Sequence, residues 1–174
     1  MAAANTYTPI ASTTVDTASA TIVFSSIPAT YTDLVLVMQP GADVGDENIG
    51  LRFNDDTSGN YSYQRIGANN TAGTYNASRQ NNFTRINTTE ATGTGPTLGK
   101  LVITAHIMNY TNTTTYKTVL ARSGQVGGTY NGVELFTGAW RATPAAINSI
   151  TIMQGGARTF STGSTFNLYG ILAA

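Results

Sequence analysis

Leu101-Val-Ile-Thr-Ala-His-Ile-Met-Asn-Tyr110 is the stretch whose reading decides the fold. Counted in twos, it sets Leu101, Ile103, Ala105 and Ile107 on one side and Val102, Thr104, His106, Met108 and Tyr110 on the other. That is the period of a strand and not of a helix. Asn112–Thr115 is dense in turn formers, and Tyr116–Arg122 resumes the β pattern, which predicts an antiparallel partner. Outward from this pair, Asp33–Gln39 is apolar on both faces, with Leu34, Leu36 and Met38 against Val35 and Val37. A strand of that kind belongs in the middle of a sheet. Ala18–Phe24 alternates, and Ile49, Leu51 and Phe53 alternate with Gly50, Arg52 and Asn54. Asp55–Asn60 reads as a turn from which Tyr61–Ile66 returns. Gly132–Ala142, Ala146–Gln154 and Thr165–Ile171 continue the series, with a short strand expected at Asn82–Ile86.

Apolar residues at helical spacing with matching caps do not occur together, and Thr143-Pro144 could start one turn at most. Strands of this length bury their apolar faces by pairing two sheets. The expectation is therefore an all-β fold, an antiparallel β-sandwich, jelly-roll-like, of about nine to eleven strands. Residues 18–174 form a single sandwich domain in this reading. Residues 1–17 are an N-terminal arm or an edge strand. The segment 67–97, poor in aliphatic residues, is a long surface excursion of the kind that carries contacts.

The chain has 174 residues, of which 10% are charged, nine basic and nine acidic, for a net charge of zero. Ordinary soluble domains are about 25% charged. Thr, Gly, Ser and Asn take up the difference, and the lysines are Lys100 and Lys117 alone. A neutral surface lacks the mutual repulsion that keeps proteins apart, so it suits a chain that sits against neighbours, or a stable extracellular β-domain. Nucleic acid and anionic membrane both select basic stripes and are not expected partners. No apolar run reaches the roughly 20 residues of a membrane span. Met1–Tyr7 has neither the charge nor the apolar stretch of a secretory signal. Cysteine is absent, which removes disulfides, thiolate metal sites and thiol nucleophiles.

Candidate chemistry is sparse. His106 is the single histidine, in an apolar strand beside Met108, and is read as a hydrogen-bonded wall residue and not as a catalytic base. No catalytic residue, cofactor or metal site is assigned. Asp43, Asp46 and Glu47 in one loop and Asp55-Asp56 in the next, loops 43–47 and 55–60, offer oxygens to calcium, although turn chemistry explains both. Seven Asn-x-Ser/Thr triplets, at Asn60, Asn69, Asn76, Asn82, Asn87, Asn109 and Asn112, follow from composition and are read as unmodified. Gly127-Gly128 and Gly155-Gly156 lack the Lys-Ser/Thr and the helix of a phosphate loop. Tyr7, Pro9, Ile10, Tyr75 and Phe83 are the candidate partner-binding residues: the first three on a segment able to add to a sheet edge, the others in the excursion.

Three blocks occur in order: Ser26-Ile-Pro-Ala-Thr-Tyr-Thr-Asp-Leu-Val-Leu-Val37, Leu51-Arg-Phe-Asn-Asp-Asp-Thr-Ser-Gly-Asn-Tyr-Ser62 and Gly163-Ser-Thr-Phe-Asn-Leu-Tyr-Gly-Ile171. Together they resemble a family of small β-rich virion proteins of tailed bacteriophages, including phages of cyanobacteria. The resemblance carries no catalytic motif. It implies a virion structural protein, made in the host cytoplasm and placed on the capsid exterior. There a decoration (cement) protein, a homotrimer by analogy, would clamp major capsid subunits. The alternative it implies is a tail, baseplate or fibre component contacting a host-surface glycan.

Overall fold

The computed structural model describes residues 6–41, 48–69, 75–90, 101–126, 131–156 and 158–172. All its regular structure is β: β1 (Tyr7–Thr14), β2 (Thr21–Phe24), β3 (Asp33–Gln39), β4 (Ile49–Phe53), β5 (Tyr61–Asn69), β6 (Tyr75–Phe83), β7 (Ile86–Thr89), β8 (Leu101–Met108), β9 (Lys117–Gln125), β10 (Gly132–Trp140), β11 (Ile150–Gln154) and β12 (Thr165–Ile171). That is one strand beyond the expected range. The strands form two antiparallel sheets, ordered β1-β12-β3-β8-β9-β10-β5-β6 and β2-β11-β4-β7.

The order contains a simpler one. Without the hairpins β5–β6 and β9–β10, eight strands remain; renumbered along the chain, they run 1-8-3-6 in one sheet and 2-7-4-5 in the other. This is the jelly roll, a long hairpin rolled so that its two arms pair across both sheets. Each extra hairpin is inserted in a connection of the roll, one between β4 and β7 and one between β8 and β11. Both add to the same sheet beyond β8.

Strand alternation builds the core. Leu34, Leu36 and Met38 of β3, Ile103, Ala105 and Ile107 of β8, and Phe166 and Leu168 of β12 face Ile22 and Phe24 of β2, Leu51 and Phe53 of β4, and Ile150 and Ile152 of β11. As its two apolar faces required, β3 lies inside the large sheet between β12 and β8. Tyr7–Thr14 is the edge strand of that sheet, paired with β12, and its register shifts between Pro9 and Ala11. A proline and a bulge together blunt an edge, because neither continues a ladder.

The stretch read as a surface excursion differs most from expectation. It holds the end of β5, all of β6, and β7. The strand expected at Asn82–Ile86 is instead β7, starting at Ile86, and Asn82 has φ 54° where the chain leaves β6. β6 is polar because it is the opposite edge of the large sheet. All four residues of β7, Ile86-Asn-Thr-Thr89, are buried despite their polarity. Each polar one has a partner: Asn87 Nδ2 donates to Tyr63 Oη (2.8 Å), Thr88 Oγ1 to Ile49 O (3.0 Å) and Thr89 Oγ1 to Glu134 Oε2 (2.8 Å). Buried polar groups are tolerated on that condition.

The β4–β5 connection is pinned by Asp56. Asn54 and Asp55 both adopt left-handed φ, 51° and 54°, which short polar side chains tolerate in tight hairpins. Asp56 then accepts hydrogen bonds from Trp140 Nε1 (2.7 Å), Asn60 Nδ2 (2.9 Å) and Ser58 N (2.9 Å). Burial pulls this carboxyl's pKa upward, but the three donors outweigh it and hold the group below its usual 3.8. The unfolded chain therefore binds the proton more tightly than the folded one, and protonation favours unfolding. The contribution is complete above pH 3.8 and is lost as pH falls through the lower folded value. Thermal melts below pH 3.8 should fall more steeply for the wild type than for Asp56→Asn, which starts lower at neutral pH. Parallel curves would remove Asp56 from the acid transition.

Candidate functional site

The extra hairpins make the large sheet wider than its partner, so the β9-β10-β5-β6 half has two distinct surfaces. β7 covers part of the inner one, lying against β5, β9 and β10. There Glu134, on β10 and in phase with the buried Phe136, is itself buried. Its Oε1 meets Arg65 Nε at 2.8 Å. Its Oε2 accepts from Thr89 Oγ1 (2.8 Å), Glu90 N (2.9 Å) and Ser123 Oγ (3.1 Å). Arg65 Nη1 reaches Glu90 Oε2 at 2.5 Å, and Tyr63 Oη donates to Glu90 Oε1 (3.0 Å). Burial, followed by the Glu90 carboxylate, holds the Tyr63 phenol well above its ordinary range, so it stays a donor. The cluster is a two-carboxylate, one-guanidinium staple between β7 and the widened sheet. Its members come from β5, β7 and the Glu90 that follows it, β9 and β10, and only Glu134 carried a sequence signal: an acid in phase with Phe136 and Trp140.

The outer surface is different. A groove of about 680 Å³ crosses β8, β9, β10, β5 and β6. Ile66, Val102, Val133 and Leu135 line it, exposed at 60%, 46%, 64% and 41%. The register explains their meeting, since Leu135 stands opposite Ile66 on one side and Arg122 on the other, and Gly124 sits between Val133 and Val102. Contiguous apolar surface of this kind marks an interaction site more often than a scattered exposed side chain does. Its volume lies in the range of preformed binding concavities, roughly 300–1,000 Å³.

Gly124 forms part of that lining. A Cβ built on it would meet nothing within 4 Å, so neither packing nor a left-handed φ demands glycine there. A strand glycine is otherwise costly, and an undemanded one leaves room for an approaching group. Gly138, on β10, is the opposite case: its Cβ would lie 2.5 Å from Ile86 Cγ2. We expect Gly124→Ala to be neutral or to stabilise by about 0.4–1 kcal/mol, and Gly138→Ala to destabilise by about 1–3 kcal/mol. Urea denaturation of the two variants checks this, and equal losses would contradict the reading of Gly124.

The sequence-derived candidates scatter. Tyr7 is exposed on β1, edge-on to Tyr169 at 6.2 Å, and Pro9 is exposed beside it. Ile10 is partly buried against the core. Phe83 is also committed to its own fold, 5.8 Å from the Tyr63 ring with the Arg85 guanidinium 5.0 Å over its face. Tyr75 opens β6 opposite Ala68, across the sheet from the first three. His106 Nε2 lies 3.1 Å from Asp33 Oδ2, and Asp33 also accepts from Asn109 N (2.7 Å), so the histidine is a hydrogen-bonded residue of the sheet wall. Asp43, Asp46 and Glu47 lie outside the described residues, as does Gly127-Gly128. Among the described residues no three acidic or histidine side chains converge as a metal site, and no helix is long and apolar enough to cross a membrane.

No protein-family profile, curated protein or solved structure matches the chain.

Proposed function

We propose that the protein is a bacteriophage virion structural protein, a capsid decoration (cement) protein that binds the outer shell and stabilises contacts between major capsid subunits. The observation that carries this reading is the open apolar groove on the widened sheet of a jelly roll. The fold alone is shared by capsid, lectin and other domains, so the surface must discriminate. Here the chain carries few charges, net zero, and the groove is broad and open, suited to lateral contact with another polypeptide. The likeness of three sequence blocks to phage virion proteins supports the same reading. So does the economy of a shell, in which weak contacts repeated over many copies sum to a large stabilisation. The working unit in this reading is a homotrimer without cofactor, and turnover of a ligand plays no part.

The test is addition of purified protein to undecorated shells assembled from the major capsid subunit of the same phage. Co-sedimentation at saturating stoichiometry and a raised shell melting temperature are expected, with sedimentation velocity giving the trimer. An unchanged melting curve removes the decoration role. Adsorption to host cells or isolated lipopolysaccharide in its place would move the protein to the tail.

A further inference from the structure

We infer that the outer groove seats an apolar segment of the major capsid subunit that places a carboxylate against Arg122, an assignment that rests on the decoration role above. Arg122 projects from β9 among Leu135, Val102 and Thr104. Among the described residues it has neither ion pair nor hydrogen bond. Strand alternation turns Glu134, the acid nearest in sequence, to the inner surface, where Arg65 holds it. The outward positions of β5, β9 and β10 are Ser62, Gln64, Ile66 and Ala68, then Thr118, Leu120, Arg122 and Gly124, then Val133, Leu135, Thr137 and Ala139. None is acidic. Arg79, opposite Gln64 on β6, adds a second cation nearby. Arg122 is exposed beside Leu135 and Thr104, and such a guanidinium gains most from a carboxylate that arrives with the water excluded.

The occupant follows from charge and shape. A second copy docking by a two-fold axis through the groove would bring two Arg122 and two Arg79 side chains together, with no acid among the outward positions of β5, β9 and β10 to separate them, which costs affinity. The groove crosses four inter-strand steps of about 4.8 Å, a span of roughly 19 Å, which matches a short stretch of polypeptide. Gly124 and the small Ala68 and Ala77 let such a segment approach the sheet backbone. Val102, Val133, Leu135 and Ile66 supply apolar contact on either side.

The experiment compares shell binding by the wild type, Gly124→Leu and Arg122→Glu, each first shown to melt like the wild type, as their open, outward positions predict. Gly124→Leu fills the groove, and Arg122→Glu opposes the carboxylate. Both should weaken shell binding about ten-fold or more. Wild-type binding should weaken as salt rises, and Arg122→Glu should lose that dependence. Binding by both folded variants as tight as wild type overturns the groove assignment and leaves the decoration role standing. A wild-type dimer in sedimentation that Gly124→Leu dissociates also overturns it, by giving the face to a second copy. Wild-type protein that ignores shells altogether fails the decoration role, and the assignment fails with it.

Discussion

Replacing Trp140 by alanine is expected to cost about 3–5 kcal/mol of folding free energy, the range for deleting a large buried aromatic side chain. Trp140 is 5% exposed and ends β10, where the widened sheet meets the roll. Its ring stacks on Tyr61 at 6.4 Å and 21° and stands edge-on to Phe53 at 5.9 Å. Its Nε1 donates to Asp56, the acid that organises the β4–β5 turn. The alanine variant therefore opens a cavity among aromatic rings and removes one of the donors that hold Asp56 ionised. Trp140→Phe keeps most of the packing and loses only the donor, so its cost should fall well below that of alanine. A domain in the upper part of the usual range of about 5–15 kcal/mol would retain a fold after Trp140→Ala, but with a much earlier midpoint. Circular dichroism in urea is the measurement, because the chain has one tryptophan and the variant removes it. Equal losses for Phe and Ala would mean that the hydrogen bond, and not the packing, holds Trp140 in place.

Glu134→Ala is the second large effect, expected at about 3–5 kcal/mol as the breaking of a buried ion pair. The loss arises from what stays behind. Arg65 keeps its charge with one carboxylate gone, and Thr89 Oγ1, Ser123 Oγ and Glu90 N lose their acceptor. Adding Arg65→Met to Glu134→Ala should recover part of the cost, because removing both charges cancels their mutual dependence. Recovery stays incomplete, since Glu90 N has lost the Glu134 acceptor and Glu90 loses Arg65. A double-mutant cycle in urea reads the coupling directly. Strictly additive losses would show that the two side chains do not act as a pair.

Much of the sandwich was legible because its strands bury one face and expose the other. The alternation of β8 and β9, and the two-sided apolarity of β3, are local patterns that neighbours in the sheet only confirm. β6 and β7 were not legible, for opposite reasons. β6 is polar because one edge of it faces no strand. β7 is polar because its partners, Tyr63, Ile49 and Glu134, come from distant parts of the chain and satisfy it in the interior. The jelly-roll order became recognisable only once two inserted hairpins could be set aside. The groove was invisible for a related reason: Ile66, Val102, Arg122 and Leu135 each look like an ordinary outward residue, and only cross-strand register joins them. Lys117, in phase with Val119 and Ala121, did carry a signal. It is buried, and its Nζ donates to the carbonyls of Asn112 (2.5 Å) and Thr115 (2.9 Å), closing the β8–β9 turn. Desolvation draws its pKa down.

The two borders of the large sheet are unequal. At β1, Pro9 lacks an N–H and the register slips, so another strand gains little by zipping on. At β6, Tyr75–Phe83 contains no proline. Edge-to-edge joining can therefore proceed from one side only, and it terminates at a pair with two blunt ends outward. Fibrous growth by extension of the large sheet is closed off by this asymmetry. A closed ring of three copies would have to be knitted by other means than the large sheet running continuously through the subunits.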